Sequence, residues 1–198
     1  MALSVKYFRG IKFISSDAVY FEPNPVVGLL DENIKALREL GEVTVVDVGS
    51  GVGNIAVYLA QQLPDAKIIA IEPHDASYDL MKQNIEMHGL KSRIKAIHAP
   101  VAEVELPSSS VDAVIGNIPN WPIQPGDNYI PFARFAGPEG LDVIKDTIRF
   151  SDRVLRPGGF MQVTRFALPG DQPETWFNPL YWKNISTPEN HYVKAYKK

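Results

Sequence analysis

Val43-Thr44-Val45-Val46-Asp47-Val48-Gly49-Ser50-Gly51-Val52-Gly53 decides the fold. Five of its first six residues are β-branched and the run carries a single charge, Asp47. That is the pattern of a strand covered on both faces. Three glycines at alternate positions then make a tight turn. Ile55, Leu59 and Leu63 follow at helical spacing until Pro64 stops the helix. Strand, glycine turn and helix in that order open a βαβ unit.

The alternation continues outward from this unit. Lys67–Ile71 is predicted as the next strand, and a helix carries Tyr78, Met81, Ile85 and His88 to a stop near Gly89. Strands are predicted over Ile94–His98 and Val111–Ile115. After a long loop, Leu141, Ile144, Ile148 and Leu155 mark a helix expected to end at Pro157-Gly158-Gly159, before a fifth strand over Phe160–Thr164. The tail predicts a short helix near Thr175 to Trp182, then a terminal strand from His191 to Tyr196. Upstream, Lys6-Tyr7-Phe8 and Ile11-Lys12-Phe13-Ile14 flank Gly10 and predict a small hairpin or extended arm. Pro23 and Pro25 lead into a helix bearing Val26, Leu29, Leu30, Ile34, Leu37 and Leu40, which Gly41 ends. The reading is one domain over residues 1–198, with an N-terminal arm and helix over 1–41 and an α/β core over 42–198. Right-handed crossovers make that core a doubly wound, mostly parallel sheet with helices on both faces. Ligands of such sheets sit at the carboxyl ends of the strands.

Composition narrows the function. At 198 residues, 45% hydrophobic and 22% charged, the chain has the core-forming content of one α/β domain and is not a disordered segment. No apolar run approaches the roughly 20 residues that span a bilayer, and no basic–apolar leader opens the sequence. A location in the cytoplasm is the expectation. With no cysteine, disulfides, thiolate metal sites and cysteine nucleophiles are excluded together. A net charge of −3 offers no bulk attraction to nucleic acid. His74, His88, His98 and His191 lack metal-ligand spacing, so no metal site is expected. Lys145, Arg149, Arg153 and Arg156 alternate with Asp142, Asp146 and Asp152, which reads as a solvated, ion-paired helix face.

The glycine turn carries the chemistry. Gly49 and Gly51 let the main chain approach a bound nucleoside with no Cβ in the way. Glu72, at the end of the next strand, is placed to accept hydrogen bonds from both hydroxyls of a ribose. Two nucleoside cofactors compete for this geometry. The dinucleotide fingerprint requires Gly-x-Gly-x-x-Gly, whereas here Asn54 stands at the third dinucleotide glycine and the spacing is Gly-x-Gly-x-Gly. Asp47, two residues before the first glycine, opposes a pyrophosphate and suits a cationic amino-acid moiety. That favours S-adenosylmethionine, with its ammonium and sulfonium, over NAD.

On these residues the chain resembles the class I S-adenosylmethionine-dependent methyltransferases, from about Val43 to Tyr196. Val45–Gly53 matches their first motif and Glu72 their second. The resemblance implies a seven-stranded sheet with the last strand antiparallel. It also implies a cofactor held by Asp47, Gly49, Ser50, Gly51 and Gly53, with its ribose on Glu72. Many members hold the adenine amine with an acid after the third strand. This chain has His98-Ala99-Pro100-Val101 there, so adenine is expected on backbone and apolar contacts at Pro100 and Val101.

The acceptor side is read from Gly116-Asn117-Ile118-Pro119-Asn120-Trp121-Pro122, at the carboxyl end of the fourth strand. An Asn side chain with a rigid run of backbone carbonyls can grip an N–H₂ group in line with a methyl donor, and placement is most of what methyl transfer requires. The segment resembles a variant of the Asn-Pro-Pro-Tyr motif of N-methyltransferases acting on glutamine amides or adenine amines. Phe135-Ala136-Gly137-Pro138-Glu139-Gly140-Leu141-Asp142 and the lead-in Val19-Tyr20-Phe21-Glu22-Pro23 resemble the HemK/PrmC-type glutamine methyltransferases. Asn117 and Pro119 match the motif and are the expected catalytic positions, with Asn117 also beside the cofactor. Ile118 and Asn120 depart from it. Val26 and Val27 replace the acidic-Thr pair of the short glutamine enzymes. The loop from Ile118 to Pro138 is rich in proline and carries Trp121, Tyr129, Phe132 and Phe135. With Tyr20 it is expected to wall the substrate, or alternatively to cover the sheet edge.

The leading expectation is methyl transfer to an amide or amine nitrogen of a small molecule, peptide or protein side chain. A nucleic-acid amine or a hydroxyl is the alternative acceptor. Two readings of other kinds stay open: a catalytically silent cofactor-binding partner subunit and a nicotinamide oxidoreductase.

Overall fold

The computed structural model describes residues 2–21, 27–120, 137, 139–165, 172–187 and 192–198. Strands β1 (Leu3–Phe8) and β2 (Ile11–Ser16) pair as an antiparallel hairpin around Gly10, as the sequence predicts. Helix α1 (Val27–Leu40) follows. The alternating core is β3 (Thr44–Val48), α2 (Asn54–Gln62), β4 (Lys67–Ile71), α3 (Asp75–Met87), β5 (Ile94–Ile97), β6 (Val111–Gly116), α4 (Asp142–Val154) and β7 (Leu155–Thr164). Strands β8 (Trp182–Ser186) and β9 (Tyr192–Lys197) complete it.

The main sheet has seven strands in the order β5-β4-β3-β6-β7-β9-β8, and β9 runs antiparallel to both neighbours. β3, β4 and β6 are nearly all buried, which explains why their sequences are apolar without alternation. From β3 the chain winds out to β4 and β5, then returns to β6 on the other side of β3. The winding direction therefore reverses between β3 and β6, and such a reversal opens a crevice at the strands' carboxyl ends. Leu30, Ile34 and Leu37 of α1, with Ile55 and Leu59 of α2 and Ile85 of α3, cover one face. The hairpin joins this side through Phe8 and Phe13, both buried. Ile144 and Ile148 of α4 cover the opposite face against Val46, Val114 and Met161.

Two expectations are corrected. The helix predicted to run through Leu155 stops at Val154, because Leu155 is already extended (φ −70°, ψ 137°). Arg156 precedes Pro157, and a residue before proline avoids helical angles. Pro157 is tolerated in β7 because the ladder is irregular there, shifting register between Val111 and Ala113. The helix predicted near Thr175 to Trp182 is one 3₁₀ turn, Pro173–Trp176, followed by β8. β8 hides from pattern reading because Asn184 adopts φ 51° and the register slips between Lys183 and Ser186.

Candidate active site

A cleft opens at the carboxyl ends of β3, β4 and β6, where the reversal of winding places it. Gly49 and Gly51 line it, together with Tyr20, Glu72, Pro100, Val101, Asn117 and Pro119. Gly49 (φ 66°) and Gly51 (φ 58°) hold left-handed angles that L side chains rarely adopt. A Cβ on Gly49 would lie 3.7 Å from Cδ of Pro119, so the bare turn also leaves room between the two halves of the crevice. Gly116 answers a different need: a Cβ there would stand 2.4 Å from the Val48 carbonyl oxygen, so β3 and β6 approach only over glycine.

Glu72 is the best-defined polar group in the cleft. Its Oε2 accepts the Gly51 N–H at 2.8 Å and its Oε1 the His74 N–H at 2.9 Å. Each oxygen keeps a further lone pair, so two more donors can be received. Burial raises the Glu72 carboxyl above its ordinary range, while the His74 and Gly51 N–H groups and nearby His74 and His98 pull it back. The side chain is thus fixed in direction before any ligand arrives.

Asp47, Ser50 and Gly53 stand differently from the sequence expectation of direct contact. None of them lines the cleft. Asp47 lies beneath the glycine turn, fully buried, with Oδ2 accepting the Ser50 hydroxyl at 2.6 Å. Its Oδ1 makes no full hydrogen bond among the described residues. Burial pushes its carboxyl up to about 7, against the Ser50 hydroxyl and the Ala56 N–H, with the charge of Glu72 adding to the rise. Ser50 also ties the turn to β4, its N–H donating to the Ile71 carbonyl at 3.0 Å. Gly53 starts α2, where a Cβ would press to 3.1 Å from Met81 Cγ. These three hold the turn's shape from behind.

On the side expected to take the acceptor, Asn117 lines the cleft, and no side-chain hydrogen bond is found for it among the described residues. The neighbouring carbonyl of Ile118 is engaged: it accepts the Asn120 amide at 2.9 Å and the Thr164 hydroxyl at 3.2 Å. Asn120 also donates to Thr164 Oγ1 at 2.9 Å. Asn120 therefore locks the segment onto β7 and does not line the cleft. Trp121, Tyr129, Phe132 and Phe135, with Glu22, Pro23 and His191, lie outside the described residues.

The sequence reading missed His74, Ser77, Val143 and Asp146, which also line the cleft. Asp146 is a second carboxylate there, on the side of Val101 and Ala102. Its Oδ1 receives Arg149 at 2.7 Å. Val143 and Asp146 are three residues apart on the first turns of α4, so one helix face delivers both. The spacing was legible; that this face meets the cleft depends on packing. Of the basic residues of this stretch Arg149 pairs within the helix face, with Asp146, as expected; Lys145 pairs instead with Glu139, Arg156 with Asp112, and Arg153 donates to the Val104 and Leu106 carbonyls. Among the described residues no group of three or more His, Asp or Glu gathers as a metal site, and no helix is long and apolar enough to cross a membrane.

Comparison with known proteins agrees with this geometry. A family model described as a methyltransferase domain matches residues 45–128, which includes the glycine turn, Glu72 and Asn117. The chain is 31% identical to the release factor glutamine methyltransferase of Streptomyces coelicolor, over 84% of this chain and 62% of that protein. It is 33% identical to the 4-amino-L-phenylalanine/4-methylamino-L-phenylalanine methyltransferase of Streptomyces pristinaespiralis, over 78% of this chain and 56% of that protein. The chain thus spans less than two thirds of the length of these curated relatives. In fold it is similar to the crystal structure of TrmN from Thermus thermophilus, with a TM-score of 0.58 at 21% identity, over 83% of this chain and 48% of that one. Sheet order, glycine turn and relatives agree: the chain carries a methyltransferase domain over residues 45–128 and is similar to the class I S-adenosylmethionine-dependent methyltransferases of the HemK/PrmC type.

Proposed function

We propose that the chain transfers a methyl group from S-adenosylmethionine to an amide or amine nitrogen of a peptide, protein side chain or small amino-acid-like molecule. Residues 1–41 and 42–198 act in this as one domain. The observation that carries the reading is a single cleft with Glu72 presented in one part and an uncommitted Asn117 amide in another. The cradle fits the cofactor: the bare backbone of Gly49 and Gly51 admits a nucleoside, and buried carboxylates suit a cation. Glu72 accepts the ribose hydroxyls. Pro100 and Val101 carry the adenine, and Asp146 is the carboxylate on that side, taking the place of the acid the sequence lacks after β5. Asp47 acts on the ammonium through the turn above it, by charge.

When bound, S-adenosylmethionine would supply an electrophilic methyl group on sulfonium for the lone pair of an uncharged acceptor nitrogen, the carbon–sulfur electron pair staying with sulfur. The chain's task is placement. The Asn117 side-chain carbonyl accepts one N–H of the acceptor and turns its lone pair toward the methyl. The proton left on nitrogen passes to solvent, so no strong base is required. Because the Ile118 carbonyl is already committed to Asn120 and Thr164, Asn117 bears most of the grip. That arrangement suits a nitrogen with one N–H held, and extends the acceptor class from glutamine amides to amines such as the relative's aminophenylalanine. Work in the cytoplasm follows from this reading, and a nucleic-acid acceptor is the less favoured alternative.

The test is label transfer from methyl-labelled S-adenosylmethionine to a glutamine-containing release-factor domain, to 4-amino-L-phenylalanine and to RNA. Nitrogen-bound label in either of the first two is expected. Label only in RNA would reverse the acceptor assignment. Saturable cofactor binding without transfer to any acceptor would favour the silent-partner reading.

A further inference from the structure

Asn84 lies in the second half of α3, fully buried, and its whole amide is spent on backbone. Oδ1 accepts the Ile14 N–H at 2.8 Å, and Nδ2 donates to the Ile14 carbonyl at 2.9 Å and to the Val52 carbonyl at 2.9 Å. The first two bonds imitate a strand partner for β2. Ile14 faces Val5 across the hairpin, and in an antiparallel ladder alternate residues turn both backbone groups outward. The third bond lands in the glycine turn, between Gly51 and Gly53. One side chain therefore joins the N-terminal hairpin to the loop that receives the cofactor.

The hairpin has other anchors. His88, one helical turn after Asn84, meets the Lys12 carbonyl through Nε2 at 2.8 Å. Arg9 binds Asp31 at 2.7 Å and the Tyr58 hydroxyl at 2.6 Å. Beyond β2 the chain runs to Tyr20, which lines the cleft and whose carbonyl oxygen lies 3.8 Å from where a Cβ on Gly51 would stand. Hairpin, lead-in and glycine turn thus form a closed circuit: Asn84 at one junction, Tyr20 over Gly51 at the other.

We propose that Asn84 is a positioning residue coupling the glycine turn to the hairpin, so that cofactor in the turn tightens the hairpin and sets Tyr20, the acceptor wall, in place. This rests on the cofactor reading above and adds an order to it: cofactor first, acceptor wall second. A fully bonded buried amide transmits such a change because none of its three bonds can lengthen without leaving a buried polar group unmatched.

The test is amide hydrogen exchange of the intact chain with and without saturating S-adenosylhomocysteine, whose binding is verified by calorimetry in the same buffer. The Ile14 amide is expected to slow on the order of tenfold with ligand, and Asn84→Asp to abolish that ligand effect. This substitution keeps an acceptor for the Ile14 N–H and loses both donors. A purely structural Asn84 would leave Ile14 exchange the same with and without ligand in the natural chain. Calorimetric binding with unchanged Ile14 exchange overturns the coupling and leaves the cofactor reading standing; absence of calorimetric binding overturns that reading first. Should Asn84→Asp fail to fold, the ligand response of the natural chain decides alone.

Discussion

Replacing Asp47 by asparagine isolates the energetic consequence of a carboxylate sealed beneath the glycine turn. Its carboxyl is pushed from the ordinary 3.8 to about 7, chiefly by burial. Between those values the folded chain holds a proton that the unfolded chain has released. Stability is therefore greatest at low pH and falls as pH rises through the window. At about 1.4 kcal/mol per pH unit, that displacement corresponds to about 4 kcal/mol, of which about 3 kcal/mol is lost between pH 5 and pH 8.5. The substituted amide cannot ionise and still offers an oxygen to the Ser50 hydroxyl. Glu72, also raised by burial, is present in both proteins, so its own burial contribution is common to the comparison. The assay is urea unfolding of both chains at the two pH values. The natural chain should lose about 3 kcal/mol more than Asp47→Asn between them. Parallel pH dependences would refute the reasoning, and with it the idea that this acid is retained at a cost to stability for its effect on a cationic ligand.

Three further outcomes follow from the site. Glu72→Gln should raise the dissociation constant for S-adenosylhomocysteine at least ~10-fold by calorimetry, since hydrogen bonds to a charged acceptor are worth about 1.5–3 kcal/mol; unchanged affinity would remove Glu72 from the ribose. Asn117→Ala should lower kcat about 100-fold while S-adenosylhomocysteine affinity stays within about twofold, because it lines the cleft and, on the proposed reading, its amide holds the acceptor; equal turnover retires its role. Gly116→Ala should cost about 2–3 kcal/mol in denaturant, since its Cβ meets the Val48 carbonyl at 2.4 Å and backbone cannot yield as a side chain can; an unshifted midpoint would mean the sheet relaxes freely.

The parts of this protein that local sequence determines were readable from it. β-branched runs such as Val43–Val48 and Lys67–Ile71 have few alternatives to a buried strand, and glycines at 49 and 51 coincide with left-handed angles. Glu72 could be located because its place at a strand end follows from the alternation itself. What escaped reading depends on which surfaces meet. Asp47 looks like a cleft residue by motif, yet strand pleating sends its side chain beneath the turn, where Ser50 closes over it. Asp146 looks like half of a surface ion pair with Arg149 until α4 packs along Val101 and Ala102 and brings it to the cleft. Asn84 carries no motif at all; its importance lies in Ile14 and Val52, 70 and 32 residues away in sequence. The engaged Ile118 carbonyl is of the same kind, because its partner Thr164 comes from β7.

Calorimetric titration of the chain with S-adenosylhomocysteine, and in parallel with NAD, tests the central claim most directly. Saturable one-to-one binding of S-adenosylhomocysteine, with no heat from NAD, is the predicted result. Binding of NAD with none of S-adenosylhomocysteine would contradict the account from the glycine turn onward.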